Sequence, residues 1–203
     1  MPYTLDATKL SRGTHLINSI VSQLNTKAFE NLVSFWLGRG TNLALGGLLT
    51  KACVNSVTGA LAPLVDDPAS HTALAQRLFE NSARGHIFSG TATFADYCEE
   101  VCRKNIRWEA LVIALVAFGR ASIDVSYYPP LYSCQAELEG LQKLVTGLSD
   151  SCLELALSLG RMDDLLLVCQ YENWILHSVI DGDQSEPAFR KSCHRNADCI
   201  DRS

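Results

Sequence analysis

A chain of 203 residues, 47% hydrophobic and 19% charged, carries enough apolar material for one sizeable core and too little length for two comfortable domains. Its 17 lysines and arginines against 22 acids leave a formal charge of -5, which argues against a protein that grips duplex DNA unaided. The greasiest runs, LVIALVAFG and LLLVC, fall short of the roughly 20 apolar residues a bilayer span requires, and the N-terminal stretch lacks the apolar core of a secretory signal. An intracellular chain that does not enter a membrane is expected.

The elements follow from apolar spacing. From Thr14, the positions Leu16, Ile17, Ile20, Val21 and Leu24 recur at helical intervals, and Ala28 to Leu37 continues with Phe29, Leu32, Val33 and Trp36. Gly38 to Gly47 is a glycine-studded break, and a weaker helix spans Leu48 to Leu61. The stretch APLVDDPASH reads as a loop, with Ser70 placed to cap a helix over Thr72 to Asn81. After GHIFSGT, Thr93 reads as the N-cap of a helix through Asp96, Glu99 and Val101.

The longest buried helix is expected over Arg107 to Ile123, stopped by SYYPP because Pro129 and Pro130 cannot continue it. Glu137 to Leu159 forms a further helix closed at Gly160, and a last one begins at Asp163 or Asp164. Its inward face is read as Leu166, Leu167, Tyr171, Trp174, Ile175 and Val179. No alternating strand pattern bounded by hairpin turns occurs, so the class is a single all-α domain of seven or eight helices over residues 1–190. The segment 191–203 lacks an apolar period and reads as a loose tail.

Eight cysteines in a chain with this much apolar material read as reduced thiols, with Cys53, Cys134, Cys152 and Cys169 among apolar or small neighbours. Cys98 and Cys102 would share a helix face, and Cys193-His194 precedes Cys199, but no paired CxxC motif supports zinc. No metal or cofactor is expected.

The segment KNIRWEALVIALVAFGRASID has charge at both ends of an apolar run. A helix wrapped on all sides by others collects its charges at its ends, where they reach solvent or a buried partner. Arg120 and Asp124 are an i,i+4 pair that would neutralise one another, Glu109 sits favourably near the helix start, and Arg107 and Trp108 are placed for a cation–π or packing contact.

Three stretches, RLFENSARGHIF, FADYCEEVCRKNIRWEALVIALVAFGRAS and SCLELALSLGRMDDLLLVCQYENWILHSVIDGDQSEPAFRK, occur in an order that resembles the middle homology region of fungal zinc-cluster transcription factors. In that family an NLRWE element opens a buried helix, a pair such as ND precedes YEN, and a GDSSYxxWR element follows. The resemblance covers roughly Gln76 to Lys191. It implies a helical regulatory domain. The family's six-cysteine zinc cluster is missing from this sequence, and so is the helix of the type RRLGDLxTAVFALGLH, so the domain reads as cut short at its C-terminal side. An uncovered apolar face around LLLVCQYENWILHSVI is therefore expected, covered by a second copy, a regulatory protein partner or an apolar ligand, with self-association through this helix, near Cys169, the expected case.

Two functions follow. The first is a transcription-factor-like regulatory domain without its own DNA-binding module, acting in secondary metabolism through a partner or ligand, and nuclear. The second is a small cytoplasmic pathway enzyme of the cyclase, isomerase or pericyclase kind, which shapes an apolar substrate without a covalent nucleophile. For the enzyme, the residues to examine are His177, Arg120, Tyr127, Tyr128, Trp174 and Asp181. Asn173, His177 and Asp181 share one helix face, an arrangement that could orient a histidine as acid or base. Asp163-Asp164 is better explained by helix capping than by magnesium, and no nucleotide or hydrolase signature occurs. An enzyme would open a pocket between the central helix and YENWILH; a regulator would have that space filled, which is the expected case.

Overall fold

The computed structural model describes residues 5–40, 46–64, 67–85 and 91–181. Within them the chain forms eight α-helices and no sheet: α1 (Ala7–Gln23), α2 (Thr26–Gly38), α3 (Gly46–Leu61), α4 (Pro68–Ala83), α5 (Phe94–Val101), α6 (Trp108–Asp124), α7 (Gln135–Leu157) and α8 (Asp164–Ile180). The expected tail at 191–203 lies outside the described residues. Among the described residues no helix is long and apolar enough to cross a membrane.

Helix α6 is the axis. It packs on α2, α3, α4, α7 and α8, and its residues from Trp108 to Gly119 are all buried. This explains the missing amphipathic period, because a helix surrounded by others has no solvent side to mark. Phe118 meets Phe29 of α2 edge-on at 4.5 Å between ring centres, and Trp108 meets Phe79 of α4 at 5.2 Å.

Helix starts are set by capping side chains. Asp6 accepts from the Thr8 N–H and opens α1 a full two turns before Thr14, where the apolar period begins. The polar first turns run along the surface, but Gly13 within them is buried against Phe79 and Trp108. The segment read as a loop before α4 is a 3₁₀ turn, Ala62–Leu64, followed by a helix that starts at Pro68, with Asp67 rather than Ser70 as its cap. Proline at the first helical position loses no hydrogen bond there. Thr93 and Asp96 form a reciprocal capping box at the start of α5, as the sequence implies. At the far end of α7 the chain turns through Gly160, whose φ of +68° is a left-handed value open to glycine.

The inward face of α8 is rotated from the expected one. Leu165, Leu166, Cys169, Glu172, Asn173 and Leu176 are buried, whereas Leu167, Tyr171, Trp174 and Val179 are exposed. Cys134 is exposed as well, unlike Cys53, Cys152 and Cys169.

Candidate functional site

Charged groups at the ends of α6 are answered by tertiary partners. At the start, Arg107 is buried and donates to the main-chain carbonyls of Asn81 and Arg84 at the C-terminal end of α4. Its guanidinium also lies 4.0 Å from Asp163, the N-cap of α8. Glu109 is buried beside it and accepts from the Ser82 hydroxyl at 2.6 Å, and the same Ser82 oxygen accepts from the Trp108 main-chain N–H at 3.0 Å. Burial pushes the Glu109 carboxyl above the usual carboxylate range, against the pull of the Ser82 hydrogen bond and of Arg107. Trp108 therefore contributes packing on Phe79, and Arg107 works through carbonyls rather than over the indole. Asn81 completes the corner by donating to the carbonyls of Lys104 and Ile106.

At the other end of α6, Arg120 pairs with Glu172 of α8 at 2.8 Å. Asp124, expected as the partner of Arg120, accepts from the Trp36 indole at 2.6 Å. An i,i+4 spacing makes a pair accessible, but a buried carboxylate on a facing helix exerts the stronger demand for a cation.

His177 lies at the seam of α7 and α8. Its Nδ1 is 2.7 Å from Asp181 Oδ2, and its Nε2 is 2.9 and 3.1 Å from the two oxygens of Asp150 on α7. Asn173 donates to Asp150 at 2.7 Å and accepts from the Ser149 hydroxyl at 2.7 Å. The hydrogen bond to Asp150 is the main cause that raises the imidazole to about 9; burial opposes it and Asp181 adds to it. At neutral pH the ring is an imidazolium with both N–H groups committed to carboxylates, so it offers no lone pair to take a proton. The predicted grouping of Asn173, His177 and Asp181 is realised. Asp150, on a different helix, is the member that the sequence reading missed.

The remaining candidates do not converge on this seam as a catalytic set. Tyr127 is exposed, and the Tyr128 N–H bonds the Tyr132 carbonyl at 3.3 Å within a tight turn after α6. Trp174 packs beside Tyr171 on the outer surface of α8 at 6.3 Å between rings. Asp163 caps α8 by accepting from the Leu166 N–H, which accounts for the acidic pair at the helix start. His86, Cys193, His194 and Cys199 lie outside the described residues, and among the described residues no cluster of three or more His, Cys, Asp or Glu is arranged to hold a metal ion.

The seam between α6 and α8 is tight where a substrate would have to enter. Gly119 of α6 faces Leu176 of α8 so closely that a Cβ on the glycine would lie 2.7 Å from Leu176 Cδ1. An open groove of about 440 Å³ lies elsewhere, between α1 and α7, with Leu16, Leu148 and Leu155 on its floor and Arg12, His15 and Lys143 at its rim.

Comparisons with protein-family models, with curated proteins and with solved structures return no match to this chain.

Proposed function

We propose that this chain is a helical regulatory domain of the transcription-factor type, carrying no DNA-reading module in this sequence and acting by docking a protein partner on the outer face of α8. The observation that carries the reading is the exposed stripe Leu167, Tyr171 and Trp174, with spacings of four and three that align them along one side of the helix. Aromatic side chains of this kind dominate the energetics of protein interfaces. Exposed Asp164 and Asp181 bracket the stripe, which suits a partner helix with an apolar face and basic ends.

The enzyme reading has less support. His177 is an imidazolium held between Asp150 and Asp181, Arg120 is engaged by Glu172, and the α6–α8 seam is filled at Gly119 and Leu176. A nuclear location belongs with the regulatory reading.

The test joins the full chain to a heterologous DNA-binding module in a fungal host and measures a reporter. The wild-type fusion should change reporter output several-fold, the double variant Leu167→Asp, Tyr171→Asp should lose most of that change, and His177→Gln should retain it. Unchanged output with the wild type, together with turnover of apolar pathway intermediates by pure but not boiled protein, would favour the enzyme instead. A concentration-dependent dimer in light scattering that the double variant abolishes would assign the stripe to self-association and refute the partner chemistry.

A further inference from the structure

Helices α3 and α5 bring two buried thiols together. Cys53 Sγ lies 3.8 Å from Cys102 Sγ, close enough for one S–H to be shared with the other sulfur. Cys53 is a full α3 core residue, and Cys102 is 3% exposed at the point where α5 ends and the chain turns towards α6. The backbone there is held in an unusual shape. Cys102 is extended, and Arg103 after it has a φ of +53°, a left-handed value that a side chain rarely adopts. What secures it is Ser56, one turn along α3 from Cys53, whose hydroxyl accepts the Arg103 N–H. The same helix therefore supplies one thiol and fixes the backbone that presents the other.

We propose that Cys53 and Cys102 form an oxidation site, at which hydrogen peroxide converts the thiol pair into a disulfide between α3 and the α5–α6 connection. In the first step the Cys102 thiolate attacks one peroxide oxygen. A sulfur–oxygen bond forms, the oxygen–oxygen bond breaks, and the departing hydroxide takes the proton of Cys53 to become water. In the second step the Cys53 thiolate attacks the Cys102 sulfenic acid; the sulfur–sulfur bond forms, and hydroxide leaves and is protonated by solvent. Two thiols are oxidised, one peroxide is reduced, and two waters result. The sulfurs have to close from 3.8 Å to about 2.05 Å. That movement falls on the end of an eight-residue helix rather than on the core of α6.

The order of events follows from the environments. Sharing the Cys53 proton lowers Cys102, with Arg103 adding to the effect against burial, and the same contact followed by burial raises Cys53. Cys102 is accordingly the first nucleophile and Cys53 the resolving thiol. Cys152 and Cys169 are equally buried, and burial pushes both thiols up, so they serve as internal controls. Cys98, one turn before Cys102 on α5 and partly exposed, is the competing partner.

The test uses the reduced full chain and hydrogen peroxide alone, with alkylation, digestion and peptide mass mapping. Alkylatable thiols should fall from eight to six, with a reducible Cys53–Cys102 linked peptide. In Cys53→Ser, a sulfenic-acid trap should label Cys102 at least tenfold more than in the wild type. Disulfides confined to Cys98–Cys102 or Cys193–Cys199, oxidation of Cys102 without a disulfide, or a Cys53–Cys102 link that forms only in denaturant would each overturn the proposal. The wild-type map decides the matter even if Cys53→Ser fails to fold.

Discussion

Replacing His177 by glutamine removes a titrating imidazole from the α7–α8 seam while leaving a polar side chain there. In the folded protein the imidazole is raised from its ordinary 6.5 to about 9 by Asp150 and Asp181. A histidine whose folded value is raised stabilises the fold fully below about 6.5 and loses that contribution as pH rises through about 9. The gap between the two values sets a ceiling of about 3 kcal/mol. Because Asp150 and Asp181 are 46% and 43% exposed, solvent screening reduces this to about 1–2 kcal/mol. Denaturant unfolding of wild type and His177→Gln at about pH 6 and about pH 10 measures it, since titrations elsewhere cancel in the difference. The advantage of the wild type should be about 1–2 kcal/mol larger at the lower pH. An advantage that stays constant or grows with pH would refute the doubly clamped imidazolium.

Gly13→Ala should destabilise the protein by about 1–2 kcal/mol although alanine is the better helix former, because its Cβ would lie 2.8 Å from Phe79 Cε2 and 3.1 Å from Trp108 Cζ2; thermal unfolding of Gly13→Ala beside a Gly59→Ala control checks it. Glu109→Gln should gain on the wild type as pH rises from about 5 to about 8, since a buried carboxyl held above its ordinary range loses stability on ionising, and a gap that moves the other way in denaturant titrations would contradict the burial argument. Leu167→Asp and Tyr171→Asp should each change stability by no more than about 0.5 kcal/mol, whereas Leu166→Asp, buried one position from Leu167, should abolish cooperative unfolding by circular dichroism.

The class and most helices were legible because apolar spacing and capping side chains act locally. The central helix is read from its apolar run to within a residue at each end, and the Thr93 cap with Asp96 is contained in four consecutive positions. The face of α8 was not legible in the same way. Leucine, valine, isoleucine and aromatic residues surround that helix, so periodicity gives no direction, and its rotation is fixed by Glu172 meeting Arg120 and by Asn173 and His177 meeting Asp150. The start of α1 was hidden because its first turns are polar. Asp150 was invisible for a related reason: an acid in the middle of α7 looks like ordinary surface until α8 lies across it.

Because α6 is enclosed by five other helices drawn from both sides of it in the chain, neither half of the protein holds a finished interior of its own. Severing the chain in the turn after Val125 would leave a first piece with α6 stripped of α7 and α8, and a second piece whose described residues hold α7 and α8 without the helix they pack on. Each would expose a long greasy surface that only the other matches. The domain is thus built as two interdependent segments whose meeting creates the interior, a layout suited to reconstitution from separately made fragments and intolerant of either one being present alone.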